Sequence, residues 1–206
     1  MSSPLAVRLI DKLSEAEALH SRQDVLSRPC PVPAVPGLYV WYFTDLPNAP
    51  LREVLPAAPF RLAYIGIAPG RAGSLATLRS RIRQHLRGNA STSTLRLTLG
   101  CLLGSALGLR LEPTGPTRRL TWGSEGELAL CRWLDLNARV AWIACAEPWV
   151  VEPEIVQGME PPLNLHHNRG HPFNQELMEF RRQARRAARG PETGLASGGF
   201  KEVSDD

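Results

Sequence analysis

The spacing of hydrophobic residues divides the chain into helical and extended segments. From Pro4 to Leu26 apolar residues recur at helical spacing, which predicts an amphipathic helix or a pair of helices. The proline run from Pro31 to Pro36 interrupts this pattern. Three runs rich in β-branched and aromatic residues predict strands, the first two of them as an antiparallel pair. They are Gly37 to Phe43, Arg61 to Ile67 and Arg139 to Ala146.

Several segments between and after these runs have helical periodicity, with a turn predicted from Pro113 to Thr117. Ser124 and Glu127 have the spacing of a capping box, in which two side chains bond the free N–H groups at the start of a helix. The predicted helices are Ser74 to Leu86, a segment from within Ser91–Thr94 to about Gly104, a segment that opens at Ser124, Pro153 to Met159, and Asn174 to Arg189.

Composition narrows the class of protein only slightly. The length of 206 residues and the 43% hydrophobic content suit one compact domain with a buried core. The four cysteines are far apart in the sequence, so neither a disulfide framework nor a zinc site is indicated. No signal-peptide core or membrane span is apparent, which predicts a cytoplasmic protein. The formal charge of +4 is compatible with a polyanionic partner, although such an excess is common in proteins that bind none.

Three short motifs in the first half of the chain carry candidate chemistry. Pro36-Gly37-Leu38-Tyr39 opens the first strand, and Tyr64-Ile65-Gly66 lies in the second. The third motif, Leu-x-x-Arg-Ile-x-x-His, runs from Leu78 to His85. Its Arg81 and His85 are four residues apart and therefore share a helical face. Because that face borders the apolar stripe, the two side chains should line a cleft.

Two further motifs complete an ordered set. They are Glu152-Pro153-Glu154-Ile155-Val156 and Pro161-Pro162-Leu163-Asn164. In this order and at these separations, the five motifs resemble those of the GIY-YIG nucleases, with leucine replacing isoleucine in the first. The resemblance implies an α/β fold with a central, mainly antiparallel three-stranded sheet flanked by helices. To this domain the chain would add an N-terminal helix and a C-terminal arginine-rich helix.

The predicted division of the chain follows from where the motifs lie. Residues 1–32 would form an N-terminal helical extension and residues 33–173 the nuclease domain. Residues 174–190 would form the C-terminal basic helix. The remaining residues, 191–206, are polar and glycine-rich, which predicts a disordered tail.

The resemblance also implies roles for individual side chains in phosphodiester hydrolysis. Arg81 would place its guanidinium on the scissile phosphate and offset negative charge in the transition state. A tyrosine, Tyr39, would take part in activating the water, and Tyr64 would orient water or phosphate. His85 would relay the proton or bind phosphate. Alternatively, both tyrosines are structural aromatic residues of the strands, with hydroxyls that are hydrogen-bonded within the fold.

A single divalent metal ion is implied as well, held by a glutamate carboxylate and waters. Hard oxygen ligands suit Mg²⁺ or Mn²⁺. Glu152 and Glu154 both could supply the carboxylate, and the spacing to Pro161 favours Glu152. Alternatively, both are first-turn acids of a helix with Pro153 at its N1 position.

The remaining candidates concern geometry and nucleic-acid binding. Gly37 and Gly66 would allow close strand approach beside the site, and Asn164 would bond the backbone and anchor the glutamate helix. The segment from His166 to Phe173 lacks acidic or cysteine partners at zinc spacing, so an ordered loop is predicted. The predicted nucleic-acid contacts are Arg79, Arg83, Arg169, Arg181, Arg182 and Arg185.

Three functions remain compatible with the sequence. The first is a metal-dependent endonuclease that cleaves DNA, since every catalytic residue type is present. The second is a nucleic-acid-binding module on a weakened nuclease fold. The third is a nuclease acting on RNA or on branched DNA, which the sequence does not separate from the first. Double-stranded or structured DNA is the expected partner, with no membrane involvement, and the oligomeric state is left open.

Overall fold

The computed structural model describes residues 3–14, 18–44, 46–47, 49–51 and 59–189, so the predicted tail at 191–206 lies outside the described residues. The helices are α1 (Pro4–Ser14), α2 (Arg22–Leu26), α3 (Leu78–Arg87), α4 (Thr94–Leu107), α5 (Gly123–Asn137), α6 (Pro148–Met159) and α7 (Asn174–Arg189). The strands are β1 (Gly37–Phe43), β2 (Arg61–Ala68), β3 (Glu112–Thr114), β4 (Arg119–Thr121) and β5 (Ala138–Ala144).

The central sheet has three antiparallel strands in the order β2-β1-β5, which confirms the predicted fold class. Every residue of β1 is buried, because it lies between two strands and both of its faces are covered. Register between β1 and β2 shifts at Trp41 and Tyr42, where Tyr64 pairs with Trp41 and Leu62 with Tyr42. This bulge leaves Ala63 between the paired positions, so Tyr64 keeps the same face as Tyr39.

The two faces of the sheet support separate hydrophobic cores. Odd-numbered residues of β1 pack toward α3, α4, α5 and α7, while even-numbered ones pack toward α1 and α6. The first core is the larger and holds the motif residue Tyr39. Helix α7 docks on it through buried Leu177 and the partly buried Phe180 and Ala184, as its apolar face predicts. Among the described residues no helix is long and apolar enough to cross a membrane.

Several predicted boundaries move for identifiable reasons. The stretch Pro4 to Leu26 forms two helices, of which α2 opens with a capping box from Ser21. Helix α3 begins at Leu78 rather than Ser74, because the side chain of Thr77 accepts the N–H of Ser80 and caps the helix there. The predicted turn from Pro113 to Thr117 is the tip of a hairpin formed by β3 and β4, which the sequence pattern did not indicate.

The capping box predicted at Ser124 is wrong. Helix α5 begins at Gly123 after Trp122, with no side-chain cap. Glu127 is used elsewhere, since its carboxylate pairs with the fully buried guanidinium of Arg96 at 2.6 Å and accepts the N–H of Ala90 at 2.7 Å. A buried charge requires a partner, and this tertiary demand outweighs the local one.

Candidate active site

Motifs that are far apart in the sequence come together in space beside the central sheet. A cleft of about 620 Å³ is lined by residues of β1, β2, α3, α6 and the loop after β2. Of the predicted catalytic residues, Tyr39, Tyr64, Arg81 and Glu152 line it directly. His85 lies behind Tyr39, 1% exposed. The structure therefore brings all five together from four separate elements.

A chain of hydrogen bonds runs from the cleft into the core. The hydroxyl of Tyr39 lies 2.8 Å from Nε2 of His85, and Nδ1 of His85 lies 2.7 Å from Oγ of Ser93. Ser93 is the N-cap of α4, and its oxygen also accepts the N–H of Arg96 at 3.1 Å. Both ring nitrogens of His85 are therefore partnered, which fixes the orientation of the ring.

Burial sets the protonation states along this chain. Desolvation, reinforced by the positive charges of Arg81 and Arg96, lowers the pKa of His85 well below its usual value. Desolvation also raises the pKa of Tyr39 and of Tyr64, although the charge of Arg81 opposes both shifts. At neutral pH the chain thus consists of a neutral phenol, a neutral imidazole and a hydroxyl.

The two motif glycines leave room that the site needs. A Cβ on Gly66 would lie 2.3 Å from the hydroxyl oxygen of Tyr39, so the phenol rests directly on the β2 backbone. A Cβ on Gly37 would lie 2.2 Å from the carbonyl oxygen of Ile143 and 2.7 Å from the side chain of Leu78. Glycine at position 66 therefore leaves room for the Tyr39 ring, and glycine at position 37 allows the close approach of β5 and α3.

Arg81 is held at the wall of the cleft by polar contacts, and its guanidinium also lies beside the hydroxyl of Tyr39. One of its terminal nitrogens, Nη1, donates to Oε1 of Gln84 at 2.7 Å and to the carbonyl oxygen of Thr92 at 3.3 Å. No ion pair involves Arg81 among the described residues. Its charge is therefore not neutralised by a carboxylate and can attract an anion into the cleft, where a guanidinium can bind phosphate through two donors.

The two candidate carboxylates of α6 have different surroundings. Glu152 lies on the cleft, partly buried, and desolvation raises its pKa while the charge of His166 lowers it. Glu154 accepts the backbone N–H of Ser3, just before α1, and lies outside the cleft. Because α6 starts at Pro148, Pro153 lies inside the helix, and the alternative of first-turn acids after a proline at N1 is wrong.

Asn164 ties the segment after α6 to strand β2. Its side-chain amide accepts the N–H of Ile65 at 2.9 Å and donates to the carbonyl oxygen of Ile65 at 2.8 Å. The backbone N–H of Leu163 donates to the carbonyl oxygen of Ala63 at 2.9 Å. These bonds pair backbone N–H and C=O groups on the outer edge of β2, as a neighbouring strand would, on either side of Tyr64.

The surroundings of Glu152 fit a hard cation that is bound by one protein carboxylate and by water. No hydrogen bond or ion pair to the Glu152 carboxylate is found among the described residues, so its oxygens are open to the cleft. Within that part of the chain no three His, Cys, Asp or Glu side chains are grouped to hold a metal. One carboxylate is compatible with Mg²⁺, which keeps several waters and shares substrate phosphate oxygens.

The predicted phosphate contacts have diverse positions. Arg79 donates through Nε to the carbonyl oxygen of Val32 at 2.7 Å and so braces the proline-rich loop, whereas Arg83 is half-buried on α3. Arg169 is exposed in a loop that Asn168 orders by donating to the carbonyl oxygen of Pro161 at 2.8 Å.

The other three predicted phosphate contacts lie on α7. Arg182 pairs with Glu179 on the same helix, whereas Arg181 and Arg185 line a second cavity.

Sequence reasoning missed three residues that build the site: Ser93, Gln84 and Arg96. A helix start was predicted within Ser91–Thr94, but nothing in the local pattern places the Ser93 hydroxyl against His85. Arg96 donates to the carbonyl oxygen of His85 at 3.2 Å from a fully buried position. The contacts of Ser93 and Arg96 with His85 join separate segments by tertiary packing, so no spacing rule signals them. Gln84 lies three residues after Arg81 on α3, a helical spacing that could have indicated it.

Comparison with known families agrees with this geometry. A family model described as the GIY-YIG catalytic domain matches residues 37–183. The chain therefore belongs to the GIY-YIG family and has a nuclease-type fold. No match is found among curated proteins or among solved structures.

Proposed function

We propose that this protein is a metal-dependent endonuclease that hydrolyses phosphodiester bonds in DNA. The observation that supports the proposal is the convergence of Tyr39, Arg81 and Glu152 on one cleft, with His85 bonded behind the tyrosine. The cleft thus combines a path for a proton, a cation for the phosphate and a carboxylate for a metal. These are the three requirements of phosphodiester hydrolysis.

The buried chain supplies the path for the proton. A phenol with a raised pKa does not ionise on its own at neutral pH, but Tyr39 can pass its proton to His85 Nε2. As it does so, the Tyr39 oxygen takes a proton from the attacking water, which leaves a hydroxide to attack phosphorus. Negative charge from bound substrate would offset the charge of Arg81 and make His85 a better acceptor.

Arg81 binds the phosphate that this hydroxide attacks. Gln84 and the Thr92 carbonyl hold one of its nitrogens, so the guanidinium is oriented before the substrate arrives. A preorganised donor stabilises developing charge without having to reorganise during the reaction. Tyr64, on the adjacent strand, orients the water or a phosphoryl oxygen from the other side of the cleft.

Glu152 would hold the divalent metal, Mg²⁺ or Mn²⁺, together with water molecules. When bound, the ion would supply positive charge for the phosphoryl and leaving oxygens. A cation beside Glu152 also favours its ionised form, against the desolvation that raises its pKa. The Asn164 bonds to Ile65 keep this carboxylate in register with the tyrosines.

The test is a cleavage assay on supercoiled, linear, single-stranded and branched DNA, with an RNA duplex in parallel. Each substrate is incubated with Mg²⁺, Mn²⁺ or EDTA, and Glu152→Gln protein serves as the control for contaminating nuclease. We expect cleavage of at least one DNA form with metal and none with EDTA or with the variant. Cleavage of RNA alone, or cleavage that persists in EDTA, would contradict the proposal.

A further inference from the structure

A second cavity, of about 700 Å³, shares a wall with the catalytic cleft. It lies between the start of α4, the hairpin of β3 and β4, and α7. Gln84 lines both cavities, and Thr92, whose carbonyl accepts from Arg81, lines the second one. The two cavities are therefore neighbours along one surface.

This second cavity, the arginine pocket, is strongly positive. Its lining includes Arg118 and Arg119 from the hairpin and Arg181 and Arg185 from α7, but no acidic residue. Within the described part of the chain none of these four side chains forms an ion pair. Four guanidinium groups around one cavity repel each other, so an anion placed among them would be strongly favoured.

One buried donor in the arginine pocket lacks a partner among the described residues. The Nε of Arg181 is buried and has no hydrogen-bond partner among the described residues. Desolvation and the charge of Arg185 lower the pKa of Arg181. A bound anion would favour the charged guanidinium and so oppose this shift. A buried donor left without an acceptor is uncommon in folded proteins and calls for a missing partner.

Two backbone features add to the same end of the cavity. Helix α4 starts there, with its N-cap Ser93 and first residue Thr94 in the lining, and the positive end of its dipole favours anions. Arg118 has φ of 47°, in the left-handed region that side chains other than glycine seldom adopt. This turn conformation places Arg118 at the exposed tip of the hairpin, where it lines the cavity.

We propose that the arginine pocket binds a phosphodiester of the same nucleic-acid strand whose neighbouring phosphate lies in the catalytic cleft. This inference rests on the proposed nuclease function. The shared wall at Gln84 supports it, and so does Arg181, whose charge influences both the pocket partner Arg185 and the cleft residue Tyr64. Guanidinium groups match the planar, bidentate geometry of phosphate oxygens. The arginine pocket thus fixes the path and register of the strand without reading its bases.

Paired substitutions separate this pocket from general surface charge. Arg181→Gln with Arg185→Gln and, independently, Arg118→Gln with Arg119→Gln each remove two charges from it. Arg186→Gln with Arg189→Gln removes two charges from exposed positions of the same helix that line neither cavity. The two pocket pairs come from separate elements, so damage to the docking of α7 cannot explain a result common to both.

Binding of a labelled DNA oligonucleotide duplex is measured against salt, in a Glu152→Gln background that prevents cleavage. We expect each pocket pair to weaken binding roughly tenfold and to reduce the slope of log K against log salt by about one. The control pair should change both quantities far less. Equal effects from all three pairs, or none from the pocket pairs, would overturn the proposal.

Neutral methylphosphonate linkages, placed one at a time along one strand, locate the phosphate. One position should weaken binding to protein with an intact pocket and have no effect on either pocket variant. Binding of inorganic phosphate without any sensitive position would instead identify a site for small anions and overturn the proposal. The pocket is tested by affinity, whereas the nuclease function is tested by cleavage. A wild-type protein that cleaves nothing would contradict the nuclease function, and the affinity data would still show whether the arginine pocket binds a phosphodiester.

Discussion

The catalytic cleft and the arginine pocket share Gln84 but use opposite physical strategies. Behind the cleft, Tyr39 and His85 are buried, uncharged at neutral pH and bonded to each other. In the pocket, four arginines are without ion-pair partners among the described residues. Desolvated, fixed groups suit proton transfer, whereas accessible charges suit attraction of a polyanion.

The difference leads to a clear division of effects. Under the proposed function, substitutions in the cleft should change turnover at saturating substrate, because their groups would act on the reacting phosphate. Substitutions in the arginine pocket should change affinity and its salt dependence, since they act on a phosphate that does not react. Kinetic and binding measurements on single variants therefore show whether a residue belongs to the first group.

The largest effect is expected for Glu152→Gln, which should abolish cleavage and leave DNA binding nearly intact. The amide retains the shape of the side chain but loses the charge that would hold a metal ion. The pKa of Glu152 is higher in the folded protein than in the unfolded chain. Ionisation of Glu152 therefore lowers the folding stability as pH rises from the unfolded pKa through the folded one. Thermal melting at neutral pH should therefore show an equal or higher Tm for the variant.

Glu154→Gln is the matched control two residues away. It weakens the bond to the Ser3 N–H and leaves the cleft unchanged, so cleavage should persist with a slightly lower Tm. If Glu154→Gln were the inactive protein and Glu152→Gln the active one, the assignment of the metal ligand would be wrong.

Tyr39→Phe should lower kcat by about 10²- to 10⁴-fold, the usual contribution of acid–base catalysis. The variant also leaves Nε2 of His85 without its partner in the core, at a cost of about 1–3 kcal/mol in folding stability. Activity and stability therefore fall together, and a control must separate them.

Tyr42→Phe provides this control from the other face of the same strand. Its hydroxyl is buried and donates to the carbonyl oxygen of Leu13 at 2.8 Å, the same distance as the Tyr39 bond. We expect a comparable loss of Tm and an unchanged kcat. Similar kcat values for the two variants would exclude a chemical role for the Tyr39 hydroxyl.

Arg81→Ala should lower single-turnover cleavage by about two to three orders of magnitude, as loss of one preorganised donor to the transition state does. Arg83→Ala removes the same charge two residues further along α3, from a position that does not line the cleft, and should act mainly on salt-sensitive binding. The measurement compares rates at saturating protein. Equal rate losses from the two variants would show that Arg81 contributes only general positive charge and has no specific role at the reacting phosphate.

The sequence predicted those parts of the molecule that depend on local pattern. The sheet strands, the amphipathic α7 and the cleft residues on α3 follow from periodicity and from motifs with fixed spacing. The start of α6 at Pro148 was missed, because the proline at 153 was taken for a helix start. Ser124 and Glu127 were misinterpreted because the buried Arg96 claims the glutamate, a demand visible only after folding.

The arginine pocket was only half predictable for the same reason. The periodicity of α7 indicates an arginine face, but Arg181 and Arg185 acquire their common cavity only when the hairpin and the start of α4 pack beside them. The short strands β3 and β4 give too little alternation for a sequence pattern. Residues from segments far apart in sequence thus meet through packing, which spacing does not encode.

The smallest catalytic effect is expected for Ser93→Ala, a positioning residue that does not touch substrate chemistry. Its hydroxyl bonds Nδ1 of His85 and caps α4 through the N–H of Arg96. Without it, the imidazole loses the partner that sets its tautomer, while Tyr39 remains in place. We expect the single-turnover rate at saturating protein to fall about tenfold, equivalent to one lost hydrogen bond in the relay.

Loss of the helix cap alone must be distinguished from this effect. Ser21→Ala removes the N-cap of α2, which lies away from the cleft, and should cost about 1 kcal/mol of stability, like the cap of α4. Ser93→Thr retains a hydroxyl and should restore most of the rate. Single-turnover cleavage at saturating protein removes any contribution from binding in the neighbouring arginine pocket. A Ser93→Ala protein that loses Tm as Ser21→Ala does but keeps its full rate would limit Ser93 to capping the helix.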